Sequence, residues 1–102
     1  MIKVMSLMKR RDDMAFADFR KWLLDEHVEF AKNLPGLRKY TANALLKENP
    51  AAPSDGITEL YFDSEQAAAD AFATDAGKAA GGEAASHCSN RFRMICEERL
   101  QF

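Results

Sequence analysis

Two short segments, IKVMSLMK (residues 2–9) and ITELYF (residues 57–62), carry apolar side chains on both faces of an extended chain. A strand of that kind has to be covered on both sides. The chain has 102 residues, one domain's worth (1–102), and the segments between its strands supply helices for only one sheet face. A second copy of the chain, packed sheet to sheet, is the economical cover for the other face.

The remaining elements follow from the same reading. Asp12 or Asp13 is placed to cap a helix that runs to about Leu34, where Pro35-Gly36 stops it. RKYTANALL (38–46) reads as a second strand, and NPAAPSDG (49–56) as a loop. Asp63 or Ser64 caps a second helix, and the Ala- and Gly-rich stretch 76–88 predicts a broken or mobile helix. RFRMICEERL (91–100) alternates as a last strand, with Phe92, Met94 and Cys96 on one side and Arg91, Arg93 and Ile95 on the other. The order βαββαβ predicts an α+β, ferredoxin-like fold with a four-stranded antiparallel sheet and the helices on one face.

Composition excludes several classes of function. Hydrophobic residues make up 47% and charged residues 29%, the balance of an ordinary globular domain. The net charge is −2 and the basic run Lys9-Arg10-Arg11 is answered at once by Asp12-Asp13, so no nucleic-acid partner is expected. No apolar run approaches the ~20 residues that span a bilayer, and the N-terminal charges follow rather than precede the apolar segment, unlike a signal peptide. The expected location is cytoplasmic, without a membrane partner. Cys88 and Cys96 have neither zinc-site nor disulfide-framework spacing, so reduced thiols are expected, and two histidines without a carboxylate cluster predict no metal.

At ~100° per residue, Phe16, Phe19, Leu23, His27, Phe30 and Leu34 share one stripe of the first helix, with Arg20 at its edge. A buried imidazole needs a hydrogen-bond partner. On strand 3, Ile57, Glu59 and Tyr61 share a face. If that face meets the helices, Glu59 reaches His27; in the other register Leu60 and Phe62 face the helices, and Glu59 points into the dimer interface. Trp22 lies about 100° from the stripe centre and is placed at the helix edge.

The segment FRKWLLDEHVEFAKNLPGLRKY (19–40), the later DGITELYF (55–62) and the first strand ending in KRR together resemble the EthD family of the dimeric α+β barrel superfamily. The resemblance implies a homodimer whose two sheets form a barrel, with a pocket between each sheet and its own helices. It implies kinship with methylmuconolactone methylisomerases and other enzymes that use no cofactor. His27 and Tyr40 match active-site positions of the methylisomerase pattern, whereas Leu60 stands where that enzyme has a reactive cysteine.

The candidate chemistry is proton transfer by His27, oriented by Glu59, with Tyr40 holding a polar group of the ligand and Arg20 balancing a carboxylate or enolate. Phe30, Tyr61 and Phe72 are candidates to line a cavity for a flat aromatic, lactone or polyketide-like molecule. Close packing of the alanines over the sheet, leaving no cavity, is the competing expectation, as is a structural His27–Glu59 pair. A non-catalytic binding protein and a cofactor-free oxygenase are the other functions the chain allows. His87-Cys88 is not expected to act as base and nucleophile, because adjacent side chains rarely aim at each other.

Overall fold

A computed structural model describes all 102 residues. β1 (Ile2–Arg10) lies inside a four-stranded antiparallel sheet with β2 (Lys39–Ala44), β3 (Gly56–Phe62) and β4 (Cys88–Glu97), in the order β2-β3-β1-β4. That is the ferredoxin-like topology. The pairing places Tyr40, Leu60, Val4 and Ile95 in one row across the helix-facing side, then Ala42, Thr58, Ser6 and Arg93, then Ala44, Gly56, Met8 and Arg91.

The first helical segment starts at Phe16 rather than at Asp12 or Asp13. Ala15 precedes it in extended conformation with no side-chain cap, and Asp13 is held by Arg11 instead. The segment is not one regular helix: α1 (Phe16–Lys21) widens into a π turn (Trp22–Glu26) before α2 (Val28–Ala31). The helix ends at Ala31, short of the Leu34 that the sequence suggested, and Pro35-Gly36 lies in the turn beyond it, where Gly36 supplies the left-handed backbone (φ 78°) that reverses the chain toward β2.

α3 (Glu65–Ala73) is capped by the Ser64 hydroxyl, which accepts from the Ala67 amide at 3.1 Å. The stretch expected to be broken is instead a regular helix, α4 (Asp75–Ala85), capped by the Thr74 hydroxyl on the Gly77 amide. Its glycines lower its intrinsic propensity while its alanines raise it, and both let it pack close against its neighbours: Gly77, Ala80 and Ala84 are buried. No helix is long and apolar enough to cross a membrane.

The apolar core is divided in two. One cluster joins Val4, Leu34, Leu60, Phe62, Ala68 and Ala71; the other joins Met8, Phe19, Trp22, Leu23 and Ala84. Each large buried side chain in them contributes about 1.5–3 kcal/mol. Between the two rows that carry these clusters runs the row with Ser6 and Thr58, whose side chains are too small and too polar to close the gap.

Candidate functional site

A recess occupies that gap. It is lined by the sheet residues Ser6, Tyr40 and Thr58, by His27, and by small residues of α4. Its envelope is about 400 Å³ including the open mouth. Only about 30 Å³ admits the centres of water-sized spheres, room for one or two waters as it stands.

His27 enters the recess because of the π turn. Its amide bonds the Trp22 carbonyl at 2.9 Å, five residues back. At ~100° per residue those two side chains would stand about 140° apart on an α-helix. The wider turn brings them together, with ring centroids 5.0 Å apart and both side chains buried. The partner of the imidazole is Glu83 on α4, whose Oε1 lies 2.8 Å from Nδ1. Trp22 Nε1 donates to both oxygens of the same carboxylate at 2.9 Å. A carboxylate only accepts, so the His27 proton sits on Nδ1 and the lone pair of Nε2 is left without a protein partner.

The Tyr40 hydroxyl is buried in the same recess with no hydrogen-bond partner. An orphaned buried polar group costs on the order of 1–3 kcal/mol. Burial, and after it the charge of Glu83, pushes this phenol up to about 12, so at neutral pH it remains an O–H donor. Phe72 forms part of the apolar wall.

Several expected site residues lie elsewhere. The register is the second of the two that the sequence allowed: Leu60 and Phe62 face the helices, which puts Glu59 and Tyr61 on the open face, out of reach of His27. There Glu59 accepts from Lys3 (2.7 Å), Thr41 (2.8 Å) and Asn43 (3.1 Å), and Tyr61 donates to Glu98 at 2.9 Å. Arg20 is drawn off by the Leu45 carbonyl (3.2 Å). Phe30 is 39% exposed; its ring flanks His27 from outside the recess. His87 stacks on Trp22 (4.2 Å between centroids, 8° between planes) and its Nδ1 lies 3.1 Å from Glu83, while burial pushes the Cys88 thiol up to about 11, keeping it protonated.

The ammonium of Lys3, with Thr41 and Asn43 after it, holds the Glu59 carboxyl down at about 2. A carboxyl lowered on folding stabilises above its unfolded value near 4.5, and that contribution is lost as pH falls toward 2. Glu59→Gln is therefore expected to destabilise the fold at pH 7 by no more than about 1 kcal/mol, the side chain being partly solvated. In urea unfolding at a series of pH values, the difference between the two proteins should close between pH 4.5 and pH 2.

Four residues that sequence reasoning did not assign to the site stand at it: Glu83, Trp22, Arg91 and Arg93. The alternation of β4 already put Arg91 and Arg93 on one side, and their register with Met8 and Ser6 makes that the helix side. For Glu83 the sequence carried no signal beyond a carboxylate in an alanine-rich helix. No three His, Cys, Asp or Glu side chains come together in a way that could hold a metal ion.

The chain resembles known structures over almost its whole length. An ethyl tert-butyl ether D (EthD) family protein from Bacillus halodurans C-125 matches at 26% identity, covering 97% of this chain and 99% of that one, with a TM-score of 0.78. A dimeric ferredoxin-like protein of unknown function from Thermobifida fusca YX matches at 17% identity over 93% of this chain and 88% of its own, TM-score 0.74. A mutant of SnoaB, a cofactor-independent oxygenase from Streptomyces nogalater, matches at 13% identity over 98% and 94%, TM-score 0.68, a likeness of fold. No curated protein gives a significant match. The EthD domain itself matches residues 11–87, which span both His27 and Glu83, and the chain belongs to the EthD family.

Proposed function

We propose that the chain is a homodimeric acid–base enzyme that uses no metal or cofactor, acting on an enolisable aromatic, lactone or polyketide-like small molecule. The observation that carries this reading is one recess holding both a carboxylate-backed imidazole and a buried phenol whose hydroxyl has no partner. His27 Nε2 removes a proton from carbon beside a carbonyl, and the electron pair moves into the C=O to give an enolate. The Tyr40 O–H donates to the enolate oxygen as charge develops there. The imidazolium then returns the proton at another carbon, an isomerisation, or the enolate expels a leaving group, an elimination.

The dimer is supported by relatives described as dimeric and by the open sheet face, where Phe92 is 61% and Met94 37% exposed beside Met5 and Leu7. A second reading, a binding or accessory protein, is favoured by Glu83 serving Trp22 as well as His27, as a purely structural tie would.

Deuterium incorporation from D₂O into a panel of enolisable lactones and phenols, followed by NMR, separates the two readings. His27→Gln is expected to lose about a hundredfold or more of that exchange while melting within a few degrees of the parent. A parent protein that exchanges nothing, with a variant that simply melts lower, returns the pair to a structural role. Oxygen uptake with a phenolic substrate would instead favour an oxygenase.

A further inference from the structure

Five of the seven arginines, Arg10, Arg11, Arg20, Arg38 and Arg99, donate hydrogen bonds to oxygens of the chain. Arg91 and Arg93 do not, and both stand at the mouth of the recess. The mouth widens into a basin, about 390 Å³ including its open side, lined by Ser6, Arg91 and Arg93. α4 presents glycine and alanine here, so no helix side chain separates the two guanidinium groups from the cavity; a Cβ on Gly81 would come within 4.0 Å of Arg91 Nη2. The Arg93 guanidinium stands over the Phe72 ring, its carbon 4.1 Å from the centroid.

We infer that Arg91 and Arg93, with the Ser6 hydroxyl, form a carboxylate subsite, and that the substrate is an aromatic or lactone carboxylate entering acid-end outward. The inference rests on the recess being the substrate site, and it names the substrate class. Two like charges brought together without a counter-anion repel each other. Burial, and second the charge of Arg91, hold the Arg93 guanidinium below its usual range, the direction an incoming anion reverses. Guanidinium forks match planar carboxylates two-pronged. Behind the forks Phe72, Leu60, Leu34 and Ala31 offer an apolar wall to the body of the ligand, while His27 and Tyr40 wait deeper in. A chain of net charge −2 that gathers two uncompensated cations at one cleft focuses its field on anions there.

The test is binding alone, so its failure is distinct from a failure of proton transfer. Benzoate, benzamide and inorganic phosphate are titrated calorimetrically into the full chain. Benzoate is expected to bind measurably and benzamide much more weakly. Arg91→Gln and Arg93→Gln should each weaken benzoate by about tenfold or more and leave benzamide unchanged. Arg93→Lys, which keeps the charge and loses the fork, should fall between, and it serves as the second variant if a glutamine protein does not fold. Benzamide binding as tightly as benzoate, no benzoate binding to the parent at millimolar concentration, or full benzoate affinity in the double Gln variant each overturns the subsite. Phosphate displacing benzoate at equal concentration overturns the carboxylate assignment.

Discussion

Glu83→Ala is expected to lower the melting temperature by more than about 10 °C. Two buried donors, Trp22 Nε1 and His27 Nδ1, lose their shared acceptor, while His87 keeps the main-chain oxygen of residue 83. Each orphaned group costs on the order of 1–3 kcal/mol, and about 1 kcal/mol moves the melting point of a domain this size by 4–8 °C. Glu83→Gln separates structure from chemistry. Its amide oxygen still accepts from Trp22; in either orientation of the amide the negative charge that supports an imidazolium is lost, and with the NH₂ toward His27 Nδ1 the imidazole proton is driven onto Nε2 as well. The melting temperature should then stay within a few degrees of the parent. Exchange activity should fall by on the order of 10³ or more, as it does when a catalytic histidine is left in the wrong tautomer. Full activity in the Gln variant would show that the carboxylate only holds the helix in place.

Gly77→Ala is expected to cost on the order of 3 kcal/mol or more, a single methyl in a place with no give. Its Cβ would collide with the Ala71 carbonyl oxygen and sit 2.6 Å from the Phe72 backbone. Those neighbours are main chain of α3, so neither can swing aside, and α3 and α4 must separate. Because α4 also carries Glu83, the separation should disturb the recess as well as the core. Gly82→Ala, five residues along the same helix, is the control: nothing lies within 4 Å of its added methyl, and it should stabilise by about 0.5–1 kcal/mol through helix propensity. Thermal melts of the two variants in parallel check both signs.

The element order and sheet topology were legible because strand, turn and capping signals agreed with one another: Ser64 capped where expected and Pro35-Gly36 fell in the turn between the first helical segment and β2. Alternation alone left the register of β3 open, since Ile57 and Tyr61 are as apolar as Leu60 and Phe62. The structure settled it by burying Leu60 and Phe62 with Val4 against the helices. That choice removed Glu59 from the site, and Glu83 took its place from an alanine-rich helix that looked too weak to position anything. Trp22 was misplaced because a helical wheel at constant pitch cannot see a wide turn, and a wide turn falls between Trp22 and His27. Tyr40 and Phe72 line the recess as expected from the residues, whereas Arg20, Phe30 and Tyr61 are drawn elsewhere by contacts that no pattern in the chain encodes.

The gap between the two apolar clusters falls where the middle row of the sheet carries Ser6 and Thr58. Because each apolar half closes on its own side chains, Ser6 and Thr58 can be exchanged for other small side chains with little effect on either half. A change confined to those two positions is therefore expected to alter what the recess admits far more than it alters the melting point.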